Sequence, residues 1–298
     1  MINKDGLTEE EFLKNYKPGD YERPSVTVDM VLFTLDDEEE EDLKKVPKKK
    51  LKVLLIKRNN HPFMGCWAIP GGFVDIDENI ESAVYRELKE ETNIDNVYLE
   101  QLYTWGDVNR DPRMRVISTS YMALVNKNNL NAKAGDDAED VAWFEISKNL
   151  IEKDELIRKY EITLENKEKG ISIVYEVIEE IIVEGFSKKS NYKINLIKGE
   201  RGIAFDHIKI LNYSLERMRN KVQYTPIAFS LLPECFTLTE LQQVYELLLG
   251  RKLTKQNFRR WVTPMVTKTE MVRSNRAYRP SSLYKLNKAY IVDEINNI

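Results

Sequence analysis

The chain has 298 residues, of which 42% are hydrophobic and 32% are charged, a composition typical of globular proteins. Its two cysteines, Cys66 and Cys235, are too few for a disulfide-stabilised scaffold, which favours a reducing compartment. No stretch approaches the ~18 to 20 apolar residues that span a bilayer, and the N-terminal segment lacks the apolar region of a signal peptide. We therefore expect a cytoplasmic protein without a membrane partner.

The charge distribution divides the chain into two parts. Residues 206–298 carry 15 Lys and Arg against 8 Asp and Glu, whereas residues 1–205 carry 30 against 41. Each part is long enough to bury a core of its own, so we predict two domains, 1–205 and 206–298. The basic second part suggests an anionic partner, although chance clustering of solvated charge is the alternative.

The first part is predicted to contain strands, one central helix and a short leading helix over Thr8–Tyr16. The predicted strands are Val26–Leu35, Leu51–Ile56, Val116–Val125 and Val141–Ile146, and the central helix runs from about Glu78 to Thr92. The charged residues 36–50 are predicted to form a solvated loop insert between the first two strands. Residues 158–199 are predicted to form a β-hairpin extension, and their pattern assigns them no chemistry.

Three glutamates stand at helical spacing on the central helix: Glu87, Glu90 and Glu91. At about 100° per residue they project on the same side as Ala83 and Val84, which favours an inward orientation. Like charges that face a core need compensation, and clustered carboxylate oxygens are ligands that Mg²⁺ or Mn²⁺ prefers. The pattern therefore predicts a divalent-cation site, against the alternative of a surface helix with chance glutamate pairs.

The spacing around this helix resembles the Nudix box, whose positions correspond here to Gly72, Glu78, Arg86-Glu87-Leu88, Glu90-Glu91, Asn93 and Ile94. The long fixed spacing makes this resemblance specific. Asn93 stands where the family has glycine, and we expect it to adopt the left-handed conformation after the helix at a small cost. The resemblance implies the α+β Nudix fold, an α/β/α sandwich with a mixed sheet, and a site for a nucleoside diphosphate.

The same resemblance implies roles for individual residues. Glu87, Glu90 and Glu91 would bind the metal, Arg86 would orient a glutamate, and a carboxylate would activate water for hydrolysis of the diphosphate. The segment from Trp105 to Arg115 resembles the corresponding part of ADP-ribose pyrophosphatases. The candidate substrate-binding residues are Arg58, Trp67, Gly72, Arg110, Arg113 and Arg115. For any single arginine, a surface loop with ordinary ion pairs is an equally good interpretation.

The second part is predicted to contain a helix-turn-helix formed by Thr237–Leu249 and Thr254–Met265. A basic segment between two short β-like runs, Met271-Val272 and Leu283–Leu286, is typical of a wing. The predicted DNA-binding residues are Lys255, Gln256, Asn257, Arg259, Arg260, Arg273, Arg276 and Arg279. The alternative is a small helical domain with a solvated basic face.

Over nearly its full length the chain resembles NrtR-type regulators, in which a winged helix follows a Nudix domain. The matching residues include Ala204-Phe205-Asp206-His207, Tyr224–Ala228 and Asn257–Arg260. The resemblance implies a homodimer that senses ADP-ribose or a related metabolite and binds double-stranded DNA. Within this pattern we interpret His207, at the domain junction, as a structural residue rather than a ligand.

Two functions stay open from the sequence. One is a transcriptional regulator that binds ADP-ribose and also hydrolyses it to AMP and ribose 5-phosphate, since every carboxylate of the box is present. The other is a housekeeping ADP-ribose pyrophosphatase whose C-terminal domain serves dimerisation only. A sensor of another phosphorylated metabolite is a third, weaker hypothesis.

Overall fold

The structure, a computed structural model, describes residues 2–20, 22–38, 47–94, 99–126, 138–273 and 281–290. The helices are α1 (Glu9–Asn15), α2 (Ile80–Thr92), α3 (His207–Lys221), α4 (Leu238–Leu249) and α5 (Lys255–Val262). The first strands are β1 (Ser25–Asp37), β2 (Lys49–Arg58), β3 (Trp67–Ala68), β4 (Gly71–Phe73), β5 (Glu100–Trp105) and β6 (Val116–Leu124). The remaining strands are β7 (Ala138–Lys153), β8 (Ile157–Asn166), β9 (Ile171–Glu184), β10 (Ser187–Lys198), β11 (Val266–Arg273) and β12 (Ser281–Leu286).

Ten of these strands form one mixed sheet. Its order is β10-β9-β8-β7-β2-β1-β6-β5, with β3 paired to β2 and β4 paired to β1. The β1–β6 pairing is parallel, from Ser25 opposite Val116 to Phe33 opposite Leu124. The neighbouring pairings of β1 with β2 and with β4 are antiparallel. Strand β1 therefore lies in the centre of the sheet and carries residues to both of its faces.

Both faces of the sheet are covered because side chains of β1 alternate between them. Val28, Met30 and Leu32 are fully buried in a core that includes Ala83, Val84 and Leu88 of α2. Their neighbours Val31 and Phe33 are buried in a second core on the opposite face, which α3 covers. The predicted α/β/α sandwich with a mixed sheet is confirmed.

The second core continues from the sheet into the C-terminal elements. It contains Phe144 and Ile162 of the sheet, Leu211 of α3, Tyr245 of α4 and Val262 of α5, all of them fully buried. The expectation of two separate cores is wrong, because α3 packs on the sheet and its other side contacts α4. The domain boundary between residues 205 and 206 stays a prediction.

Residues 158–199 differ from the predicted hairpin. They form three strands, β8, β9 and β10, that extend the same sheet beyond β7 with antiparallel pairing. The prediction of a hairpin was wrong because the segment contains three strands. The middle one, Ile171–Glu184, pairs with β8 on one edge and with β10 on the other. Residues 39–46 of the predicted loop insert lie outside the described residues, and β1 and β2 take up its two ends, through Asp37 and from Lys49.

The C-terminal elements form a helix-turn-helix followed by a two-stranded sheet. Helix α4 begins at a capping box in which the Glu240 amide donates to the Thr237 hydroxyl, and it ends at Gly250 with a φ of 65°. Strands β11 and β12 are antiparallel, with Val266 opposite Leu286. The predicted helix-turn-helix is confirmed. None of the helices in the described part of the chain has the length and apolar character needed to cross a membrane.

Candidate functional site

Arg86 on α2 gathers three carboxylates. Its guanidinium donates to Glu78 at 2.5 Å, to Glu87 at 2.8 Å and to Glu90 at 3.0 Å. A further hydrogen bond, 2.9 Å long, goes to the carbonyl of Phe73 in β4. Hydrogen bonding of Arg86 to the Glu78 carboxylate is the main cause that raises the pKa of Arg86. This arginine therefore fixes the position of two glutamates of its own helix and joins the helix to the neighbouring strand.

The three glutamates predicted to face inward do not share one environment. Glu87 is 13% exposed and Glu90 is 60% exposed. Glu91 is partly buried and accepts a 2.6 Å hydrogen bond from the Gly71 amide. The predicted inward orientation of Glu90 was wrong. With Arg86 at 0° around the helix, Glu90 lies at about 40°, at the margin of the stripe that holds Glu87 and Glu91.

Burial shifts the titration of the two inward glutamates. It raises the pKa of Glu91 to about 8, with a further contribution from the Glu87 charge and an opposing one from the Gly71 hydrogen bond. Burial also raises the pKa of Glu87, against the lowering effect of Arg86. The positive charge near these two carboxylates therefore does not fully offset the cost of burying both in the ionised form.

At Gly72 the backbone of β4 comes unusually close to these carboxylates. A methyl group at Gly72 would lie 2.2 Å from the carboxyl carbon of Glu87. Asn93, at the other end of α2, has a φ of 56° and a ψ of 24°, the left-handed conformation expected from the sequence. Both ends of the predicted box thus satisfy a local backbone requirement.

A cavity of about 370 Å³ opens beside the two glutamates. Its walls include Arg58 of β2, Glu87 and Glu91 of α2, Arg113, Phe205 and His207. A larger groove of about 1490 Å³, between β6 and the C-terminal elements, contains none of these groups. The smaller cavity is therefore the candidate site for an anionic ligand, because acidic and basic side chains converge on it.

The donor set suits a divalent cation through Glu87 and Glu91, whose carboxylates are hard oxygen ligands. Burial raises the pKa of Glu91 although the Gly71 hydrogen bond and the Arg58 charge lower it, so a bound cation would further favour the ionised carboxylate. Within the described residues, no three His, Cys, Asp or Glu side chains are grouped as a metal site. Glu90 would join such a site only after leaving Arg86, to which it is hydrogen-bonded.

The predicted arginines occupy different positions. Arg58 lines the cavity, and its Nε donates to the Pro62 carbonyl at 2.9 Å. Arg113 lines the cavity and pairs with Asp111 at 2.8 Å. Burial, followed by the charge of Arg113, lowers the pKa of Arg58. These two guanidinium groups are the ones that the structure leaves best placed for a phosphate.

Three other predicted substrate residues are placed differently. Arg110 lines the cavity but is only 6% exposed, and it donates to Asp206 at 2.9 Å and to Asp29 at 3.4 Å. Arg115 is exposed outside the cavity. Trp67 packs edge-on against Phe144 at 4.8 Å in the core below the sheet, so it is not available for a stacked base. Its strand neighbours explain this: β3 pairs with β2, which directs Trp67 away from the cavity.

Sequence reasoning placed His207 at the domain junction but did not predict that Phe205 and His207 line the cavity. His207 accepts a 3.1 Å hydrogen bond at Nδ1 from the Ile69 amide, and its Nε2 lies 3.6 Å from Asp29. Ser118 also donates to Asp29, at 2.5 Å. Burial lowers the pKa of His207, which favours the neutral ring that accepts at Nδ1. The structural interpretation of this histidine agrees with the geometry.

The C-terminal part presents a polar helix surface. On α5 the side chains of Lys255, Gln256, Asn257, Arg259 and Arg260 are all exposed. Phe258 and Val262 are buried, with Phe258 5.7 Å from the ring of Tyr245. A helix with one buried edge and exposed Arg, Lys, Gln and Asn has the groups that contact phosphates and base edges.

The predicted wing residues are only partly described. Arg273, at the end of β11, forms an ion pair of 2.5 Å with Glu240 of α4 and is 46% exposed. Arg276 and Arg279 lie outside the described residues. Arg273 therefore joins the wing to α4, and any contact of this residue with DNA would compete with that ion pair.

Comparisons with known proteins agree with this geometry. The NUDIX domain family matches residues 44–164, and the NrtR DNA-binding winged helix domain matches residues 228–286. A protein described as "ADPR responsive transcriptional repressor NtrR" from Acinetobacter baylyi is 32% identical over 281 residues, which cover 93% of this chain and 88% of the relative. The ADP-ribose pyrophosphatase of Methanocaldococcus jannaschii is 39% identical over 135 residues, covering 45% of this chain and 69% of that protein.

A solved structure resembles the whole chain. Shewanella oneidensis NrtR complexed with a 27mer DNA superposes with a TM-score of 0.58 at 30% identity. The match covers 90% of this chain and 95% of that one. The similarity therefore extends into both the Nudix part and the C-terminal part of the chain.

Proposed function

Since the chain belongs to the NrtR family, with a Nudix domain joined to a winged-helix domain, we propose that it is a transcriptional regulator controlled by ADP-ribose. The observation that carries the proposal is the presence in one chain of the acidic and basic cavity beside α2 and the exposed surface of α5. The cavity holds the ligand, and α5 contacts DNA. A homodimer stays a prediction, which sedimentation equilibrium tests directly.

The cavity suits the diphosphate of ADP-ribose. Arg58 and Arg113 offer guanidinium groups, which match phosphate geometry with paired hydrogen bonds. Glu87 and Glu91 would hold a divalent cation, Mg²⁺ in this proposal, and the cation would neutralise the diphosphate. Two relatives point to the nucleotide, one described as responsive to ADPR and one as an ADP-ribose pyrophosphatase.

The surface of α5 suits the major groove. Lys255, Arg259 and Arg260 contribute positive charge, and Gln256 and Asn257 offer amide groups that discriminate bases. Phosphate contacts release counterions, so binding should weaken steeply as salt increases. A relative described as a transcriptional repressor, and a similar structure that contains DNA, support this assignment.

Fluorescence anisotropy tests the regulator. The chain is titrated into labelled DNA from its own upstream region and into shuffled DNA, at several salt concentrations and with or without ADP-ribose. We expect preference for the upstream region, and Arg260→Ala should weaken binding at least ~10-fold. Lys189→Ala is the matched control, because Lys189 is equally exposed on β10, far along the sheet. Equal affinity for both DNAs would refute the regulator.

Hydrolysis of ADP-ribose is a second proposed activity, favoured by the pair of inward carboxylates and by Arg86. A bound cation would supply Lewis-acid chemistry at the diphosphate. Glu87 and Glu91 would hold the cation, while Arg86 keeps Glu87 in position. Release of AMP and ribose 5-phosphate with Mg²⁺ measures the activity, and Glu91→Gln should abolish it. Tight binding of ADP-ribose without turnover would leave a sensor and remove the enzyme.

A further inference from the structure

The short segment between β10 and α3 enters the ligand cavity. Phe205, in this segment, and His207, the first residue of α3, line the cavity together with Arg58 and Arg113. The segment is held at its start, because the Ala204 amide donates to the Trp67 carbonyl at 2.7 Å. Helix α3 begins at His207, only two residues after Phe205. The wall of the ligand site therefore continues from Phe205 into the first residue of α3.

Phe205 occupies the space between the two arginines that face the cavity. Its ring lies 5.0 Å from the Arg58 guanidinium and 5.9 Å from that of Arg113. The ring of Phe63 completes this cage at 4.7 Å. These are cation–π contacts. Arg113 makes its contact while it is also paired with Asp111 and lies 5.3 Å from the ring of Phe73. The contact with Arg58 is the closer one. In the absence of a ligand, the arginines thus stabilise the position of Phe205.

The backbone at Phe205 depends on these contacts. Its φ of 52° lies in the left-handed region, where a residue with a β-carbon is strained. Beside it, Asp206 pairs with Arg110 at 2.9 Å, which keeps the segment close to the sheet. Such strain persists only where surrounding contacts impose it, so loss of the cage would let the segment relax.

A diphosphate competes for the same arginines. Charge-assisted hydrogen bonds to phosphate are stronger than contacts with an aromatic face, and they require the guanidinium planes to turn toward the phosphate. Arg58 and Arg113 would then leave the ring of Phe205. Because α3 packs against α4 in the shared core, a change at the first turn of α3 is transmitted to the DNA-binding elements.

We propose that Phe205 is the positioning residue that couples occupancy of the cavity by a nucleoside diphosphate to the placement of α3 and of the winged helix. The proposal rests on the proposed function and adds the route of regulation. It assigns Phe205 no direct role in binding DNA or in chemistry. Its removal should therefore affect the dependence of DNA binding on the ligand, and not DNA binding itself.

Phe205→Leu tests this coupling in the full chain. Calorimetry gives the affinity for ADP-ribose, and anisotropy gives the affinity for upstream DNA with and without ADP-ribose. With ADP-ribose at a saturating concentration for each variant, as calorimetry establishes, we expect the ratio of the DNA affinities with and without ADP-ribose to fall at least ~5-fold toward one. Phe186→Leu is the control, because Phe186 is exposed in the turn between β9 and β10 and does not line the cavity.

A second measurement needs no substitution. Hydrogen exchange of the wild type should become faster in residues 203–209 when ADP-ribose is added. If the wild type binds neither ADP-ribose nor DNA, the proposed function fails and the coupling fails with it. If the wild type binds both, an unchanged affinity ratio in Phe205→Leu, or unchanged exchange in residues 203–209, overturns the coupling alone.

Discussion

At the scale of single residues, the cavity depends on close backbone approaches that only small side chains allow. Gly72 is the clearest case, since a methyl group there would meet the Glu87 carboxyl group. That group is the end of a flexible side chain, so the fold would tolerate the methyl while Glu87 would move. Gly72 is therefore needed for the position of the Glu87 carboxylate rather than for the conformation of the backbone.

Gly72→Ala should weaken binding of Mg²⁺ and ADP-ribose at least ~10-fold with little loss of stability, because displacement of Glu87 removes a charged ligand. Calorimetric titration measures both affinities, and thermal melting checks the fold. Gly19→Ala is the control, because a methyl there would meet no atom within 4 Å. Unchanged affinities in Gly72→Ala would contradict the role given to Glu87.

His207 makes stability depend on pH. Burial lowers its pKa below the usual ~6.5, although Asp29 and Asp206 favour the charged ring and Arg110 and Arg58 oppose it. The folded protein thus keeps His207 neutral at a pH where the unfolded chain binds a proton. This contribution to stability is complete above pH ~6.5 and is lost as pH falls toward the folded pKa, at up to about 1.4 kcal/mol per pH unit.

His207→Asn should remove this contribution, because the Asn side chain stays neutral while still accepting from the Ile69 amide. The difference in the free energy of unfolding between wild type and variant, measured in urea, should shrink as pH falls from 7 to 5. A difference that stays constant over this range would show that His207 does not titrate on unfolding. Because only the difference is compared, titration of other groups cancels.

At the scale of elements, the amino-acid pattern predicted what is long or tightly constrained. The box fixed α2 and its end at Asn93, and the capping box and Gly250 fixed α4. Strand β5 was missed because half of its side chains are exposed and only one is buried, which leaves no apolar alternation to detect. The strands β3 and β4 were missed because they have two and three residues and depend on pairing with β2 and β1.

The site was predicted in part for the same reason. Local spacing revealed Glu87 and Glu91, but the position of Phe205 in the cavity depends on tertiary contacts with Arg58 and Arg113. Trp67 was misplaced because a two-residue strand gives too little pattern to assign its face. The spacing of residues in the sequence predicts which side chains share a helix face, but it does not predict which loops come into contact in the folded chain.

Asn93 tests the helix end. Replacing it with Ala should lower the free energy of unfolding by about 1 kcal/mol, since an alanine pays the full cost of the left-handed conformation. Asn93→Gly should leave it within about 0.5 kcal/mol of wild type, because glycine adopts this conformation freely and gives some of the gain back as unfolded-chain entropy. Urea unfolding measures both, and equal stabilities of the Ala and Gly variants would contradict the assignment.

At the scale of the whole molecule, the shared core links the stability of the sheet to that of the C-terminal helices. Leu211 of α3 is fully buried in the core that also contains sheet residues and α4. Because one cluster holds them, the Nudix and winged-helix parts should unfold together. The Nudix and winged-helix parts, which match two separate domain families, are therefore packed around one core.

Leu211→Ala should lower the free energy of unfolding by roughly 2–5 kcal/mol, through a cavity in this core. Scanning calorimetry should show one transition in wild type and variant, shifted to lower temperature in the variant. Leu13→Ala on α1 is the control, because Leu13 is 63% exposed. Two separate transitions, of which only one shifts, would show that the parts are independent.

The ion pair between Arg110 and Asp206 and the hydrogen bond from Ile69 to His207 also have a consequence for synthesis of the chain. A ribosome releases β1 and α2 long before it releases residues 203–207, so the cavity lacks one wall until the polypeptide has passed the Nudix part. A nascent or truncated sensor that ends with β10 would leave Arg110 without Asp206 and the Ile69 amide without His207. An engineer who grafts this sensor onto another output domain must therefore transfer the segment through His207, or graft an incomplete cavity.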